Sequence, residues 1–159
     1  MNKVRKTITV DFEEESRLLP FIRVKFDGIE GERLALIDTG SELTVLDCDI
    51  VEKISKKSNL VKLKSTDDIT IDGFGGTENH KNSTYFSSLV TITDTEGQEW
   101  NIPVDGASIN ISSIKEPFLK ACGSAETVMV IGSDTLKKLK AKIHYPRKQL
   151  SINGLFCHE

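Results

Sequence analysis

One aspartate, Asp38, stands directly after an apolar run and is followed by Thr39 and Gly40. The run, residues 34–37, reads Leu-Ala-Leu-Ile and is typical of a buried strand. A carboxylate at the end of such a strand costs free energy unless it is paired or takes part in chemistry. Asp38 is therefore a candidate catalytic acid or base. The ordinary alternative is a strand-end aspartate that only forms a local turn with Gly40.

A glycine-rich segment follows in the middle of the chain. Residues 71–76 read Ile-Asp-Gly-Phe-Gly-Gly, which by itself is nearly as typical of an ordinary hairpin tip. Because glycine tolerates backbone angles that other residues avoid, such a tip can also move over a bound ligand. The candidate covering residues are Gly73, Phe74, Gly75 and Gly76.

A third segment lies near the C-terminus, where the apolar run 128–131 ends at Gly132. Four apolar residues are too few for a helix and predict a strand buried on both faces. Since glycine has no side chain, Gly132 would let a neighbouring segment pass close by. A short helix, capped by Ser133 or Asp134 and ending near Lys140, is predicted to follow.

The elements that must position these residues read mainly as strands, because apolar and polar residues alternate with period two. Residues 21–27 and 32–38 form a predicted hairpin through a turn at 28–31, so Asp38 lies where a strand becomes a loop. Further strands are predicted at residues 60–63, 69–71, 85–93, 99–104, 142–145 and 149–152.

The composition indicates a single cytoplasmic domain. The chain has 159 residues, which is enough for a core without disulfide or metal support. It carries 21 Lys and Arg against 24 Asp and Glu, a net charge of -3 without long blocks, so neither nucleic acid nor a membrane is an expected partner. The three cysteines and three histidines show no ligand spacing, so no metal or cofactor is expected. No apolar run suits a signal or a membrane span.

In their order and spacing, the three segments resemble the retroviral-type aspartic peptidases, the retropepsin-like family. The resemblance covers residues 20–153 and implies an all-β fold, a closed or partly open antiparallel barrel with one short helix near the C-terminus. Residues 1–19 are then an N-terminal extension and residues 20–159 a single domain. The site residues that the resemblance implies are the catalytic Asp38, the active-site loop Thr39, Gly40 and Ser41, the flap Gly73, Phe74, Gly75 and Gly76, and the loop-supporting Ile131 and Gly132.

The resemblance also implies an aspartic endopeptidase. Its mechanism needs two carboxylates that share one proton, one to activate water and one to donate to the substrate carbonyl. The chain has one Asp-Thr-Gly, and Asp105 lacks the following threonine. A homodimer with one Asp38 per subunit, acting on an extended polypeptide, is therefore predicted. Dimers of the family often interleave terminal strands, for which residues 7–10 and 150–152 are candidates.

Alternatives stay open at two points. The Ser41 hydroxyl could donate to the Asp38 carboxylate, favour its ionised form and give an acidic activity optimum, or Ser41 and Thr44 could simply satisfy nearby backbone groups. The chain could also be a non-proteolytic peptide-binding or dimerisation module, since a fold does not fix a function. Residues 1–19 and 105–127 exceed what a minimal member of the family needs, and could alter dimerisation or cover the cleft.

Overall fold

A computed structural model describes residues 2–14, 19–56, 61–64, 69–73, 76–80, 84–111 and 127–158. The strands in these ranges are β1 (Lys3–Asp11), β2 (Phe21–Phe26), β3 (Arg33–Ile37), β4 (Val45–Asp47), β5 (Val61–Lys64), β6 (Ile69–Gly73), β7 (Gly76–His80), β8 (Thr84–Thr93), β9 (Glu99–Ile109), β10 (Thr127–Ile131), β11 (Lys142–His144) and β12 (Gln149–Cys157). The helices there are α1 (Cys48–Ser55) and α2 (Ser133–Lys138).

Six of the strands close into a barrel. Their pairing runs β9, β4, β10, β3, β2, β8, and β8 pairs with β9 to complete the ring. Most pairs are antiparallel, but β10 runs parallel to β3 and β4 runs parallel to β9. The predicted all-β barrel is confirmed. The parallel pairs are a difference that local alternation could not reveal, because parallel neighbours are joined by long connections.

The first hairpin is also confirmed. β2 pairs antiparallel with β3, and the turn between them holds Gly28 and Gly31 at a positive φ that other residues rarely adopt. β3 is largely buried and ends at Ile37, so Asp38 is the first residue of the loop that follows. All five residues of β10 are buried, as expected for a strand covered on both faces.

The helices differ in part from the prediction. α2 begins after Gly132, which is its N-cap without a side-chain bond, so the predicted cap at Ser133 or Asp134 is wrong. α1 was not predicted, because its β-branched residues Ile50, Val51 and Ile54 favour strands; their helical spacing was the signal available. Within the described ranges, no helix has the length and apolar character needed to cross a membrane.

The terminal strands extend the sheet beyond the barrel. β1 pairs antiparallel with β12 along its whole length, and β12 reaches the barrel where Cys157 lies opposite Asn101 on β9. Residues 7–10 and 150–152, the candidates for interleaving between subunits, therefore pair with each other inside one chain. Their side chains in the main core are Ile8, Val10, Leu150 and Ile152.

A polar cluster fixes the turn between β8 and β9. The Asp94 carboxylate accepts hydrogen bonds from the Trp100 indole N–H and from the backbone N–H groups of Glu96 and Gln98, each at 2.9 Å. Burial of Asp94 opposes its ionisation, but these bonds, helped by the charge of Lys6, outweigh burial and lower the pKa of Asp94. Asp94 therefore stabilises the fold above the pKa it has in the unfolded chain, and this contribution is lost as the pH falls through its folded pKa.

We expect Asp94→Asn to lower the free energy of unfolding at neutral pH by about 1 kcal/mol, because a neutral amide accepts these hydrogen bonds more weakly. The loss should begin to shrink below about pH 4, the ordinary pKa of an Asp carboxyl in the unfolded chain, and should keep shrinking as the pH falls through the lower pKa that Asp94 has in the folded protein. Urea unfolding followed by tryptophan fluorescence at the two pH values measures both. Glu96→Gln, an exposed change in the same turn, is the control. An equal loss from Asp94→Asn at both pH values would contradict the assignment.

Candidate active site

Asp38 begins the loop between β3 and β4 and is partly exposed. Its backbone N–H donates to the Ile131 carbonyl oxygen at 3.0 Å, which ties the start of the loop to the end of β10. Its carboxylate Oδ1 accepts a hydrogen bond from the Gly40 N–H at 2.9 Å. This bond is the local turn that the ordinary alternative predicts, so it does not by itself favour catalysis. It does hold a reachable carboxylate in one orientation.

Ser41 closes the turn but does not contact the Asp38 carboxylate. Its backbone N–H donates to the Asp38 carbonyl oxygen at 3.2 Å, and its hydroxyl donates to the Leu43 carbonyl oxygen at 2.8 Å. A hydroxyl has one proton to donate, so the predicted bond from Ser41 to the carboxylate is wrong. The alternative, that Ser41 satisfies a nearby backbone group, is what the structure shows. Any acidic optimum would therefore need another cause.

Gly132 supports the loop from below at very close range. A Cβ atom at this position would lie 2.6 Å from the Leu43 carbonyl oxygen and 2.8 Å from the Ser41 carbonyl oxygen. The next residue, Ser133, donates its backbone N–H to the same Ser41 oxygen at 2.7 Å. The expectation that Gly132 lets a neighbouring segment pass close by is confirmed, since both contacts are to backbone that a side chain would displace.

The Thr44 hydroxyl joins the far end of the loop to α2. Thr44 is fully buried, and its Oγ1 lies 2.7 Å from Asp134 Oδ1, 2.7 Å from Thr135 Oγ1 and 3.0 Å from the Gly132 nitrogen. The hydroxyl can donate to Asp134 while it accepts from Thr135 and from the Gly132 N–H, which uses its full capacity. From the sequence, Thr44 was predicted only to satisfy a nearby backbone group, and Asp134 only to cap a helix. Their 90-residue separation hid the pair.

We expect Thr44→Val to lower the free energy of unfolding by about 2 kcal/mol, because the isosteric change leaves the buried Gly132 N–H without a partner and removes one of the two hydrogen bonds that the Asp134 carboxylate accepts. Thr44→Ser keeps the hydroxyl and loses one methyl group, so it should lose clearly less. Urea unfolding of both variants measures the difference. Similar losses for Val and Ser would show that packing of the methyl group, not the hydroxyl, is what matters.

The other acidic candidate is engaged elsewhere. Asp105 is exposed on β9. Its carboxylate accepts a hydrogen bond from the Ser87 hydroxyl and forms an ion pair with Lys138 Nζ at 3.2 Å. The bond from Ser87 is the main cause that lowers the pKa of Asp105; partial burial opposes it and Lys138 assists it. Both oxygens of the Asp105 carboxylate are therefore engaged in surface contacts, one with Ser87 and one with Lys138.

The glycine-rich segment forms a separate two-stranded hairpin. β6 pairs antiparallel with β7, and Gly73 lies opposite Gly76 at the end of the ladder. Phe74 and Gly75 lie outside the described residues. Of the strands that the structure describes, β6 and β7 pair only with each other. The predicted hairpin is confirmed, and its role as a flap over Asp38 stays a prediction.

A cleft of about 460 Å³ lies elsewhere on the chain and does not include Asp38. It is lined by the end of β1 and the outer surfaces of β2 and β8. Its most prominent cation, Arg23, is held by ion pairs with Glu13 and Glu32. These ion pairs engage three of the charged side chains that line the cleft.

Comparison with known proteins finds similarity in structure only. No protein-family model and no curated protein matches the chain significantly. The retroviral protease-like domain of Ddi1 from Leishmania major aligns over 89% of this chain and 92% of its own, with 14% identity and a TM-score of 0.51. A retropepsin-like aspartic protease from Rickettsia conorii aligns over 99% and 98%, with 11% identity and a TM-score of 0.50. Identities this low show a shared fold and leave the activity to be argued from the site.

Proposed function

We propose that this chain, which has the retropepsin-like fold, is an aspartic endopeptidase whose catalytic pair is the Asp38 carboxylates of two copies. The observation that carries the proposal is the placement of Asp38. A partly exposed carboxylate stands on a loop that β10 and Gly132 hold from below through backbone hydrogen bonds and close packing. Such a fixed, reachable group is what an acid or base needs, since efficient proton transfer depends on position.

On this proposal the second carboxylate comes from another copy. Asp105 is bound to Ser87 and Lys138, and Asp134 is bound to Thr44 and to the Thr135 backbone N–H at 2.7 Å. Neither is available to share a proton with Asp38. Two copies related by a two-fold axis would bring the same loop face to face and supply two equivalent carboxylates.

The chemistry then follows from one shared proton. The ionised Asp38 takes a proton from a water molecule as the water oxygen attacks the peptide carbonyl carbon, and the protonated Asp38 of the other copy donates to the carbonyl oxygen. As the resulting diol collapses, the carbon–nitrogen bond breaks, the protonated carboxyl gives its proton to the leaving amine, and the ionised carboxylate takes a proton from one diol hydroxyl, whose oxygen becomes the carbonyl of the product acid. The protons balance, and the pair returns to one proton.

The proposed substrate is a polypeptide bound as an extended strand. An extended peptide can form backbone hydrogen bonds with a strand or hairpin beside it. The β6–β7 hairpin, with Gly73 and Gly76 at the end of its ladder, is the proposed cover. On this proposal residues 20–159 are the peptidase domain, and β1 of the 1–19 extension supports it through β12.

The test is cleavage of a pooled peptide library, followed by mass spectrometry at acidic and neutral pH. Wild-type protein should cut within peptides, and Asp38→Asn should not. Asp49→Asn, an exposed aspartate in α1, is the matched control and should keep activity. Cleavage that survives Asp38→Asn would overturn the proposal. Peptide binding without cleavage by wild-type protein would favour the non-proteolytic module instead.

A further inference from the structure

The terminal strands are held inside one chain by more than their own pairing. β1 and β12 pair over nine residues, and Ile8 and Ile152 on their inner face are 1% and 2% exposed. Beyond the pairing, the Thr9 carbonyl oxygen accepts a hydrogen bond from the Thr95 N–H at 2.9 Å, which ties β1 to the turn between β8 and β9. Lys6 Nζ lies 4.8 Å from the centre of the Trp100 ring. Besides pairing with β12, β1 therefore contacts its own barrel at Lys6 and Thr9.

The connections to these strands also resist exchange between copies. At the end of β1, the Phe12 N–H donates to the Lys148 carbonyl oxygen at 2.9 Å and the Glu13 N–H donates to the Phe21 carbonyl oxygen at 2.7 Å. β12 follows β11 through the tight turn 145–148, which a hydrogen bond from the Lys148 N–H to the Tyr145 oxygen closes at 3.1 Å. Exchange requires a connection that can open into a hinge. In the described residues, which leave out 15–18 of the first connection, both connections are bonded to their own chain.

In the proposed function, the Asp38 loop is the surface that two copies must bring together. Its exposed residues are Thr39, Gly40 and Glu42, which are small or polar. The large apolar side chains that the structure shows as exposed lie on other elements, at Val4, Leu89, Tyr145 and Leu155. A small contact without an apolar centre is typical of weak, transient association.

We infer that the dimer proposed above keeps each terminal strand in its own chain and is drawn together by the peptide. This inference rests on the proposed function, in which the site is incomplete in one chain. A peptide that lies across the two-fold axis contacts both copies and binds the dimer alone. By mass action such a ligand shifts the monomer–dimer equilibrium toward the dimer. The protein is mainly monomeric without peptide, and its activity per chain rises with protein concentration.

Peptide-driven assembly is measured by sedimentation of wild-type protein. The probe is a pooled set of extended peptides in which a hydroxyethylene group replaces one amide, so that it cannot be cut. The pool should lower the apparent dissociation constant of the dimer at least about tenfold. A stable dimer without the pool, or a monomer at every pool concentration, overturns the inference. A peptide-driven dimer that cuts no peptide overturns only the proposed chemistry.

Strand exchange is measured with a disulfide between Thr9 and Ser151. These residues lie opposite each other, with their hydroxyl oxygens 3.4 Å apart. The Thr9 carbonyl points away from β12 and accepts its hydrogen bond from Thr95. Thr9 and Ser151 are therefore a non-hydrogen-bonded pair of the antiparallel ladder, and the Cα atoms of such a pair lie about 4.5 Å apart. That separation suits a disulfide. In Thr9→Cys/Ser151→Cys, oxidised glutathione would take up the two hydrogens as the sulfurs join.

The disulfide should close within one chain and run as a monomer on a non-reducing gel. Activity and peptide-driven dimerisation should then stay within about twofold of the reduced protein, because a weakly associating loop interface leaves β1 and β12 untouched. Covalent dimers, or activity that is lost on closure and returns on reduction, overturn the inference. The single variants Thr9→Cys and Ser151→Cys are the controls for disulfides that involve the native Cys48, Cys122 or Cys157.

Discussion

Asp38→Asn is expected to lower peptide cleavage about 10²- to 10⁴-fold, the range that one general acid or base supplies. The amide cannot accept a proton from water, so the pair loses its base. Its oxygen can still accept the hydrogen bond that Gly40 donates to Asp38 Oδ1. The free energy of unfolding should therefore stay close to that of wild type. Initial cleavage rates and urea unfolding, measured on the same samples, separate loss of chemistry from loss of fold.

Mixing the two proteins tests whether the site is shared. When Asp38→Asn replaces half of the wild-type chains at fixed total concentration, about a quarter of the dimers have two aspartates, so the rate should fall to about a quarter. The same ratio holds when the dimer is weak, because active dimers vary with the square of the wild-type fraction. A fall to one half would mean that each chain works alone and would contradict the shared pair.

Gly132→Ala is expected to lower the free energy of unfolding by about 3 kcal/mol, at the upper end of what an added core methyl group costs. The new Cβ would lie 2.6 Å and 2.7 Å from the carbonyl oxygen and carbon of Leu43, and 2.8 Å from the Ser41 oxygen. These are backbone atoms of the Asp38 loop, so they can give way only if the loop moves. Urea unfolding measures the loss, and cleavage by the folded fraction should fall with it.

Gly97→Ala is the control for the cost of losing a glycine as such. Gly97 has a φ of +85°, and a Cβ there meets nothing within 4 Å. Gly97→Ala should lower the free energy of unfolding by only about 1 kcal/mol, because the left-handed backbone angle is then the only source of strain. A Gly132→Ala loss no greater than that of Gly97→Ala would contradict the close approach of the loop.

Local patterns were enough to predict the elements around the site. Alternation predicted the β2–β3 hairpin, and the four-residue apolar run predicted the buried strand β10. The point where β3 ends placed Asp38 at the start of a loop. α1 was missed although its apolar residues have helical spacing, because Ile50, Val51 and Ile54 are β-branched and favour strands. A local pattern reports only on residues that are neighbours in the chain, which explains both the correct predictions and the missing helix.

Contacts between distant segments depend on how the whole chain packs. Local sequence patterns predicted that Asp38 lies where a buried strand becomes a loop and that a glycine follows β10. The sequence could not determine that the Ser41 hydroxyl turns to Leu43, or that Thr44 meets Asp134. Nor could it determine that the terminal strands pair with each other. A hydroxyl or a strand edge has many chemically equivalent partners, and packing of the whole chain selects among them.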